Sequence, residues 1–250
     1  MARQKSIIKL EGTIGDISFY KSKDGYIARE KTSITAERIA TDPKFARTRE
    51  NGAEFGRAGK ASKLIRTAFQ PLLTSTKDAR MVSRLTTLLV KVLRGDTING
   101  RGLRTVQDGM LDLLLDFDFN INGKLGTFFF VEYTSTINRV AGELEVALPA
   151  FIPVDAITAP PGTTHYKILS GGAELDFENQ LSVRQMQSTN ILPWNEVASA
   201  PMTLTSALTP NSTLPMLQVL GVEFYQEVNG TMYSLKNGSG NALNIVNIDL

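Results

Sequence analysis

The chain has 250 residues, of which 42% are apolar and 21% are charged, a composition typical of folded globular proteins rather than disordered ones. It has no cysteine, which excludes disulfides, thiol catalysis and thiolate metal sites, and its one histidine lacks the partners that a triad or a histidine-rich metal site needs. We therefore predict that the chain is not an enzyme and that it uses no cofactor and no metal ion.

The net charge of +2 conceals two regions of opposite charge. Residues 1–104 have 22 basic and 10 acidic side chains, a net charge of +12, whereas residues 105–250 have 5 basic and 15 acidic side chains, a net charge of −10. This division predicts an N-terminal part that attracts anions and a C-terminal part that repels them.

The N-terminal part begins with predicted short strands in residues 7–31. Apolar and β-forming side chains are punctuated there by glycines, and Asp24-Gly25 marks a hairpin. A lone hairpin is only marginally stable in water, so this one is expected to pack on another element or to pair with a partner.

Helices are predicted to follow. Asp42-Pro43 is typical of a helix start, because aspartate caps the first turn and proline needs no acceptor there. Apolar side chains follow the 3.6-residue period over residues 53–73, and Gly52, Gly56 and Gly59 predict a kink or break in the first half of this helix. The same glycines favour close packing of another helix.

Residues 77–94 are the clearest helix in the sequence. Apolar side chains from Met81 to Leu93 share one face, and the opposite face carries a basic stripe. The stripe is the candidate partner-binding site, with four residues: Arg80, Arg84, Lys91 and Arg94. A further helix is predicted over residues 103–115, with an acidic stripe at a spacing of four residues: Asp108, Asp112 and Asp116.

From about residue 122 the sequence predicts strands. Asn122-Gly123 marks a turn, and Asn229-Gly230 is the strongest hairpin signal, because both residues tolerate the positive φ of a type I′ turn. Strands are predicted in eight ranges: 127–133, 143–148, 166–169, 181–187, 202–208, 216–227, 231–235 and 242–248. The predicted fold class is therefore α+β. A β-hairpin and helical domain over residues 1–121 precedes an acidic, immunoglobulin-like antiparallel β-sandwich over residues 122–250.

Three motifs superficially indicate chemistry. His165 lacks the partners that a catalytic or metal-binding histidine needs, and Asp116 and Asp118 are interpreted as solvated charges rather than an acid/base pair. The stretch 52–62 resembles a phosphate-binding loop, but Glu54 stands where that loop requires glycine, and Ala61 where it requires a hydroxyl.

Three segments together resemble those of a family of functionally uncharacterised bacterial proteins. They are Gly12-Thr13-Ile14-Gly15-Asp16 with Phe19-Tyr20, the segment from Thr48 to Phe55, and Phe224-Tyr225-Gln226-Glu227-Val228-Asn229-Gly230. The resemblance covers most of the chain and implies a basic N-terminal hairpin, a helical middle and a C-terminal β domain. It implies a non-catalytic protein and brings no functional residues.

Two main hypotheses follow from the sequence. In the first, the chain is a structural or assembly protein, such as a filament subunit or virion component. The basic part of one copy then meets the acidic part of the next, or of another subunit. Alternatively, the two charges neutralise each other within one compact monomer. In the second, the basic helical region binds the phosphates of nucleic acid without sequence preference. A third and weaker hypothesis makes Trp194 a surface aromatic for recognising glycans or proteins.

The sequence also bears on localisation. The first ten residues have no apolar run that would make a signal peptide, because Lys9 and Glu11 interrupt it. Apolar runs such as 111–115 are far shorter than the roughly 20 residues that cross a bilayer. We expect no membrane association and a location in the cytoplasm, or in a particle assembled there.

Overall fold

The computed structural model describes residues 2–30, 34–235 and 240–250. The chain divides into two compact units, Met1–Asn51 and Gly52–Leu250. Helices and antiparallel sheets are both present, which confirms the α+β class. The predicted division into domains at residues 121 and 122 stays a prediction, and an experiment on it is set out in the Discussion.

The first unit contains a four-stranded antiparallel sheet in the order β1-β4-β3-β2. Its strands are β1 (Ala2–Arg3), β2 (Gly12–Ile14), β3 (Ile17–Ser22) and β4 (Gly25–Glu30). The predicted hairpin at Asp24-Gly25 is confirmed, because β3 and β4 pair up to Ser22 and Gly25. Lys31, at the end of the predicted strand region, lies outside the described residues.

Three helical segments follow the sheet in the first part of the chain. Helix α1 (Ala36–Thr41) is capped by the hydroxyl of Thr35, which accepts a hydrogen bond from the Arg38 N–H. The predicted start at Asp42 is confirmed, since its carboxylate accepts from the Lys44 N–H and caps the 3-10 turn Pro43–Phe45. This turn leads into α2 (Ala46–Ala68).

The predicted kink near the glycines of α2 is wrong. The helix is continuous from residue 46 to residue 68, and the interruption lies at Phe69, after which α3 (Gln70–Thr76) begins. Pro71 explains this position, because its ring would clash with the carbonyl four residues earlier in a continuous helix. The Arg184 guanidinium donates to the carbonyls of Thr67 and Ala68 and so satisfies the exposed end of α2.

The glycines of α2 lead to a first prediction about stability. A Cβ atom built at Gly52, Gly56 or Gly59 meets no atom within 4 Å among the described residues. No described element therefore packs closely on these glycines, although the sequence favoured such packing. We expect Gly52→Ala and Gly56→Ala each to raise the free energy of unfolding by about 0.5–1 kcal/mol, because alanine restricts the unfolded chain. Urea unfolding followed by circular dichroism measures the gain. A loss of stability instead would mean that another molecule packs on these positions.

Helix α4 (Met81–Arg94) confirms the clearest helix prediction. The predicted helix over residues 103–115 is wrong, since the structure has turns there and only a 3-10 segment, Leu111–Leu114. The cause is local, because side chains bind the backbone amides in place of a helical ladder. The Thr105 hydroxyl accepts from the Asp108 N–H at 3.0 Å, and the Asp96 carboxylate accepts from the Thr105 N–H at 2.9 Å.

The second unit continues with two short helices, α5 (Leu125–Phe128) and α6 (Pro153–Ala156), and nine strands. The strands are β5 (Thr134–Asn138), β6 (Glu143–Leu148), β7 (His165–Asp176), β8 (Leu181–Ser188), β9 (Leu192–Pro193), β10 (Met202–Ala207), β11 (Met216–Val228), β12 (Thr231–Ser234) and β13 (Ala242–Asp249). Seven of the eight predicted strand ranges are confirmed. The range 127–133 is wrong, because α5 occupies its start and only Phe129 makes a β-bridge, to Ile157.

The strands form a six-stranded and a three-stranded sheet. The large sheet has the order β12-β11-β7-β8, with β13 also on β11 and β9 also on β7, and the small sheet has the order β10-β6-β5. Asn229 and Gly230 both have positive φ, 50° and 77°, between β11 and β12, which confirms the predicted hairpin turn.

Helices, large sheet and small sheet make three layers in the second unit. One face of β7 and β11 packs with α2, α3 and α4 in one apolar cluster, through residues such as Leu169, Leu217 and Val219. The other face packs with the small sheet in a second cluster, through residues such as Tyr166 and Val222. The central strands are therefore buried on both sides.

Two glycines in β7 let these layers approach closely. A Cβ at Gly171 would clash with the Met186 side chain of the adjoining strand β8 and lie 3.3 Å from Leu72 on the helical side, and one at Gly172 would lie 2.9 Å from Leu144 of the small sheet. Neighbouring strand residues point to opposite faces, so the pair relieves crowding on both sides of the sheet.

Polar side chains also join the two sheets. Ser135 on β5 donates to the Gln218 side chain at 2.8 Å, and the backbone N–H of Ala207 on β10 donates to the Gln185 side chain. The result is a curled half-barrel of antiparallel strands, and the finer expectation of an immunoglobulin-like sandwich is not confirmed.

Candidate functional site

The basic stripe on α4 is the candidate site that the sequence singled out. Arg80, Lys91 and Arg94 are exposed in the structure, while Arg84 is half-buried. The helix turns its other side to the core through residues such as Leu85 and Leu89, so the stripe lies on the face that the periodicity indicated. Its role in binding a partner stays a prediction.

Arg84 differs from the other three residues of the stripe because its side chain is used inside the fold. Its guanidinium pairs with the Asp78 carboxylate, donates to the Asp118 carbonyl at 2.8 Å and lies 5.1 Å from the centre of the Phe117 ring. Burial alone would raise the pKa of Asp78. Hydrogen bonds from the Ile121 N–H, Arg84 and the Arg80 N–H outweigh burial and lower that pKa. Arg84 therefore anchors the start of α4 and is poorly placed to meet a partner.

The first sheet is a second candidate site, which the sequence indicated only as a hairpin in need of packing. None of the described residues 2–30 and 34–51 is buried. A folded sheet with no buried side chain lacks the apolar burial that offsets the entropy of ordering a chain. The described part of residues 2–51 is thus a regular sheet and helical segment in which every side chain is at least partly exposed.

The strand register gives this sheet two different faces. The pairs Ile14 with Ile17 and Phe19 with Ala28 lie on one side. We define the apolar face of the first sheet by five residues: Ile14, Ile17, Phe19, Tyr26 and Ala28. The register also places Lys21 and Glu30 on this side, opposite Tyr26 and Ile17. The opposite face has more polar residues: Thr13, Ser18, Tyr20, Ile27 and Arg29.

The exposure of the apolar face is large for its residue types. Ile14 on the edge strand β2 is 62% exposed, and Ile17 opposite it on β3 is 45% exposed. Ile7 and Ile8, between β1 and β2, are exposed at 101% and 72%. Phe19, Tyr26 and Ala28 are half-buried, so the strongly exposed apolar side chains of this face are those of Ile14 and Ile17. Exposed apolar side chains that group together are typical of surfaces that bind another molecule.

The residues that superficially indicated chemistry have structural contacts. Asp118 accepts hydrogen bonds from the Leu125 N–H and from the Asn244 side chain, at 3.1 and 2.9 Å. His165 Nδ1 lies 2.9 Å from the Thr164 hydroxyl, at the start of β7. Trp194 is half-buried against the second apolar cluster and donates its indole N–H to the Ile157 carbonyl at 3.0 Å, which weakens its interpretation as a surface aromatic.

The stretch 52–62 lies within α2 and is helical throughout. A phosphate-binding loop needs an irregular backbone instead. Among residues 2–30, 34–235 and 240–250, no group of three or more His, Cys, Asp or Glu side chains is placed to hold a metal ion. In the same residues, no helix is both long and apolar enough to cross a bilayer.

Comparisons with known proteins identify no protein similar to this chain. No family model matches the chain, and neither the curated proteins nor the solved structures contain a match to it. The interpretation of function therefore rests on the two surfaces described above and on the charges around them.

Proposed function

We propose that this protein is a non-catalytic structural or assembly protein that associates with further copies of itself, or docks into a multi-subunit particle such as a filament or virion. The observation that carries the proposal is the first sheet, which has four paired strands and no buried residue. Such a sheet gains stability when another surface covers its apolar face.

A second copy of the chain is the favoured partner for this face. The described strand β2 is a short edge strand, and its N–H and C=O groups on one side are available for pairing with a strand of a neighbour. Residues 1–104 and 105–250 have net charges of +12 and −10, so the basic part of one copy attracts the acidic part of the next. A contact between two different surfaces of the same chain builds rings or filaments.

The proposal includes an immunoglobulin-like fold for residues 122–250 and a location for the protein. The immunoglobulin-like interpretation of residues 122–250 is supported by two antiparallel sheets that face each other across a shared apolar cluster. A location in the cytoplasm, or in a particle assembled there, fits a protein that assembles from free subunits.

Substitution of the apolar face tests the proposal. We expect Ile14→Lys to reduce the mass of the assembled protein to that of a monomer, because a charge on this face would have to be buried in the contact. Thr13→Lys is the matched control, since it places the same charge on the same strand but on the opposite face. Light scattering at low and high salt measures the masses of both variants and of the unchanged protein.

The outcomes separate the two sources of attraction. An assembly through the apolar face persists at high salt, whereas one held by exposed charges weakens as salt rises. An unchanged protein that is monomeric at every concentration overturns the proposal. Equal loss of assembly in both variants shows that added charge, and not the apolar face, is responsible.

The alternative proposal is sequence-independent binding of nucleic acid by the basic helical region. The exposure of Arg80, Lys91 and Arg94 supports it, whereas the internal contacts of Arg84 weaken it. Replacement of all four stripe residues by glutamine should abolish binding to an oligonucleotide and flatten its dependence on salt.

A further inference from the structure

A basic cleft lies among the helices of the second unit. Its walls come from the C-terminal part of α2, from α3 and from the first residues of α4, and its volume is about 540 Å³. Six of its lining residues have side chains with hydrogen-bond donors: Lys63, Arg66, Thr67, Gln70, Thr74 and Lys77. The Thr74 hydroxyl already donates to the Gln70 carbonyl at 3.3 Å.

The three cations of this cleft are not neutralised within the described part of the chain. No carboxylate of residues 2–30, 34–235 or 240–250 forms a salt bridge with Lys63, Arg66 or Lys77. Arg66 uses only its Nε, which donates to the Ser62 carbonyl at 3.1 Å. Asp78 also lines the cleft, but its carboxylate already accepts from Arg84 and from the N–H groups of Arg80 and Ile121.

The start of α4 adds to the positive potential of the cleft. Ala79, Met81 and Val82 line it, and the N-cap residue Arg80 provides no side-chain cap for the first turn. The N-terminal end of a helix carries partial positive charge, which favours a nearby anion. The cations, the neutral donors and the helix end therefore act in the same direction.

We infer that this cleft binds phosphate groups. A phosphate group presents more acceptor oxygens than a carboxylate to guanidinium, ammonium, hydroxyl and amide donors together, which matches a cleft with three cations. The volume exceeds that of one phosphate, so the cleft also has room for the remainder of a phosphoester, such as adjoining units of a nucleic-acid backbone. The inference does not rest on self-association, because its residues belong to the second unit.

The experiment uses the full chain and two probes, inorganic phosphate and a fluorescein-labelled oligothymidylate. We expect Lys63→Gln combined with Lys77→Gln to weaken oligonucleotide binding about ten-fold at low salt. The dependence of log affinity on log salt should fall by about 1.4, the value for two lost contacts to a single strand. Both lysines are exposed and lie outside the apolar core, so the variant is expected to fold.

The matched control is Lys60→Gln combined with Lys124→Gln, which removes the same charge from exposed positions outside both the cleft and the basic stripe. We expect it to leave affinity for either probe within about two-fold of the unchanged protein. Selective loss in the cleft variant supports the inference, and the probe that is lost identifies the source as a nucleic-acid backbone or a free phosphate. Equal loss in both variants, no binding of either probe, or stronger competition by polyglutamate than by phosphate overturns it.

Discussion

A fragment of residues 122–250 is expected to lack a cooperative unfolding transition when it is produced alone. Without residues 52–121, the helix-facing side of the large sheet would expose side chains that are fully buried in the chain, among them Leu217, Val219 and Leu243. Exposing a buried side chain of this size costs about 1.5–3 kcal/mol. Three such losses are comparable with the whole stability of a domain, which is about 5–15 kcal/mol.

The matched fragment is residues 52–250, which retains α3, α4 and most of α2 and forms one compact unit. We expect it to unfold cooperatively in thermal scans followed by near-ultraviolet circular dichroism, with both apolar clusters intact. A cooperative transition in the 122–250 fragment would contradict this expectation. It would establish the predicted division at residues 121 and 122 as a boundary between independently folding domains.

The strands of the small sheet show what the sequence predicts well. In β6, buried Leu144, Val146 and Leu148 alternate with exposed or half-buried residues, which is the pattern of a sheet with one buried face. Asn229-Gly230 likewise defines its turn locally, through residues that accept positive φ. These features are predictable because neighbours in the sequence determine them.

The long strand β7 shows where prediction from the sequence stops. Its residues 168–175 are buried on both faces, and the predicted strand ended at Leu169, before Gly171 and Gly172. Glycine weakens a strand when judged locally, but here it makes room for Leu72 and Leu144 of the adjoining layers. No local pattern contains that information, because the two layers come from distant parts of the sequence.

The candidate sites show the same limit. The helical period placed Arg84 in the basic stripe but could not show its contacts with Asp78 and the Asp118 carbonyl, 34 residues away. The cleft was missed because Lys63 lies in α2 and Lys77 follows the end of α3, and no single period relates them. The only sequence feature that pointed to the cleft was the high density of basic residues in residues 1–104. It indicated that this part is positively charged but not where the charges gather.

Asp96 is responsible for the failed helix prediction over residues 103–115, and its replacement is expected to have a large effect. The side chain is 3% exposed. One oxygen accepts from the N–H groups of Ile98 and Asn99 at 2.8 and 2.9 Å, and the other accepts from the Asn99 side chain and the Thr105 N–H, both at 2.9 Å. We expect Asp96→Asn to lower the free energy of unfolding by about 3 kcal/mol, because its amide group would face two donors.

The same site predicts how stability depends on pH. Burial by itself would raise the pKa of Asp96, but the hydrogen bonds from Asn99, Thr105 and Ile98 outweigh it and hold that pKa far below its ordinary value. The stabilisation is therefore complete above the unfolded-state pKa of about 3.9, and it is lost as the pH falls below that value towards the folded pKa. Urea unfolding between pH about 5 and about 2 should show a smaller decline in Asp96→Asn than in the unchanged protein.

Asp112→Asn is the control for this experiment, since Asp112 is exposed on the nearby 3-10 segment. We expect it to change the free energy of unfolding by less than about 0.5 kcal/mol and to leave the pH dependence as it is. If Asp96→Asn were equally mild, the turns of residues 96–108 would be held by their packing against α4. Asp96 would then not be the reason why this segment departs from a helix.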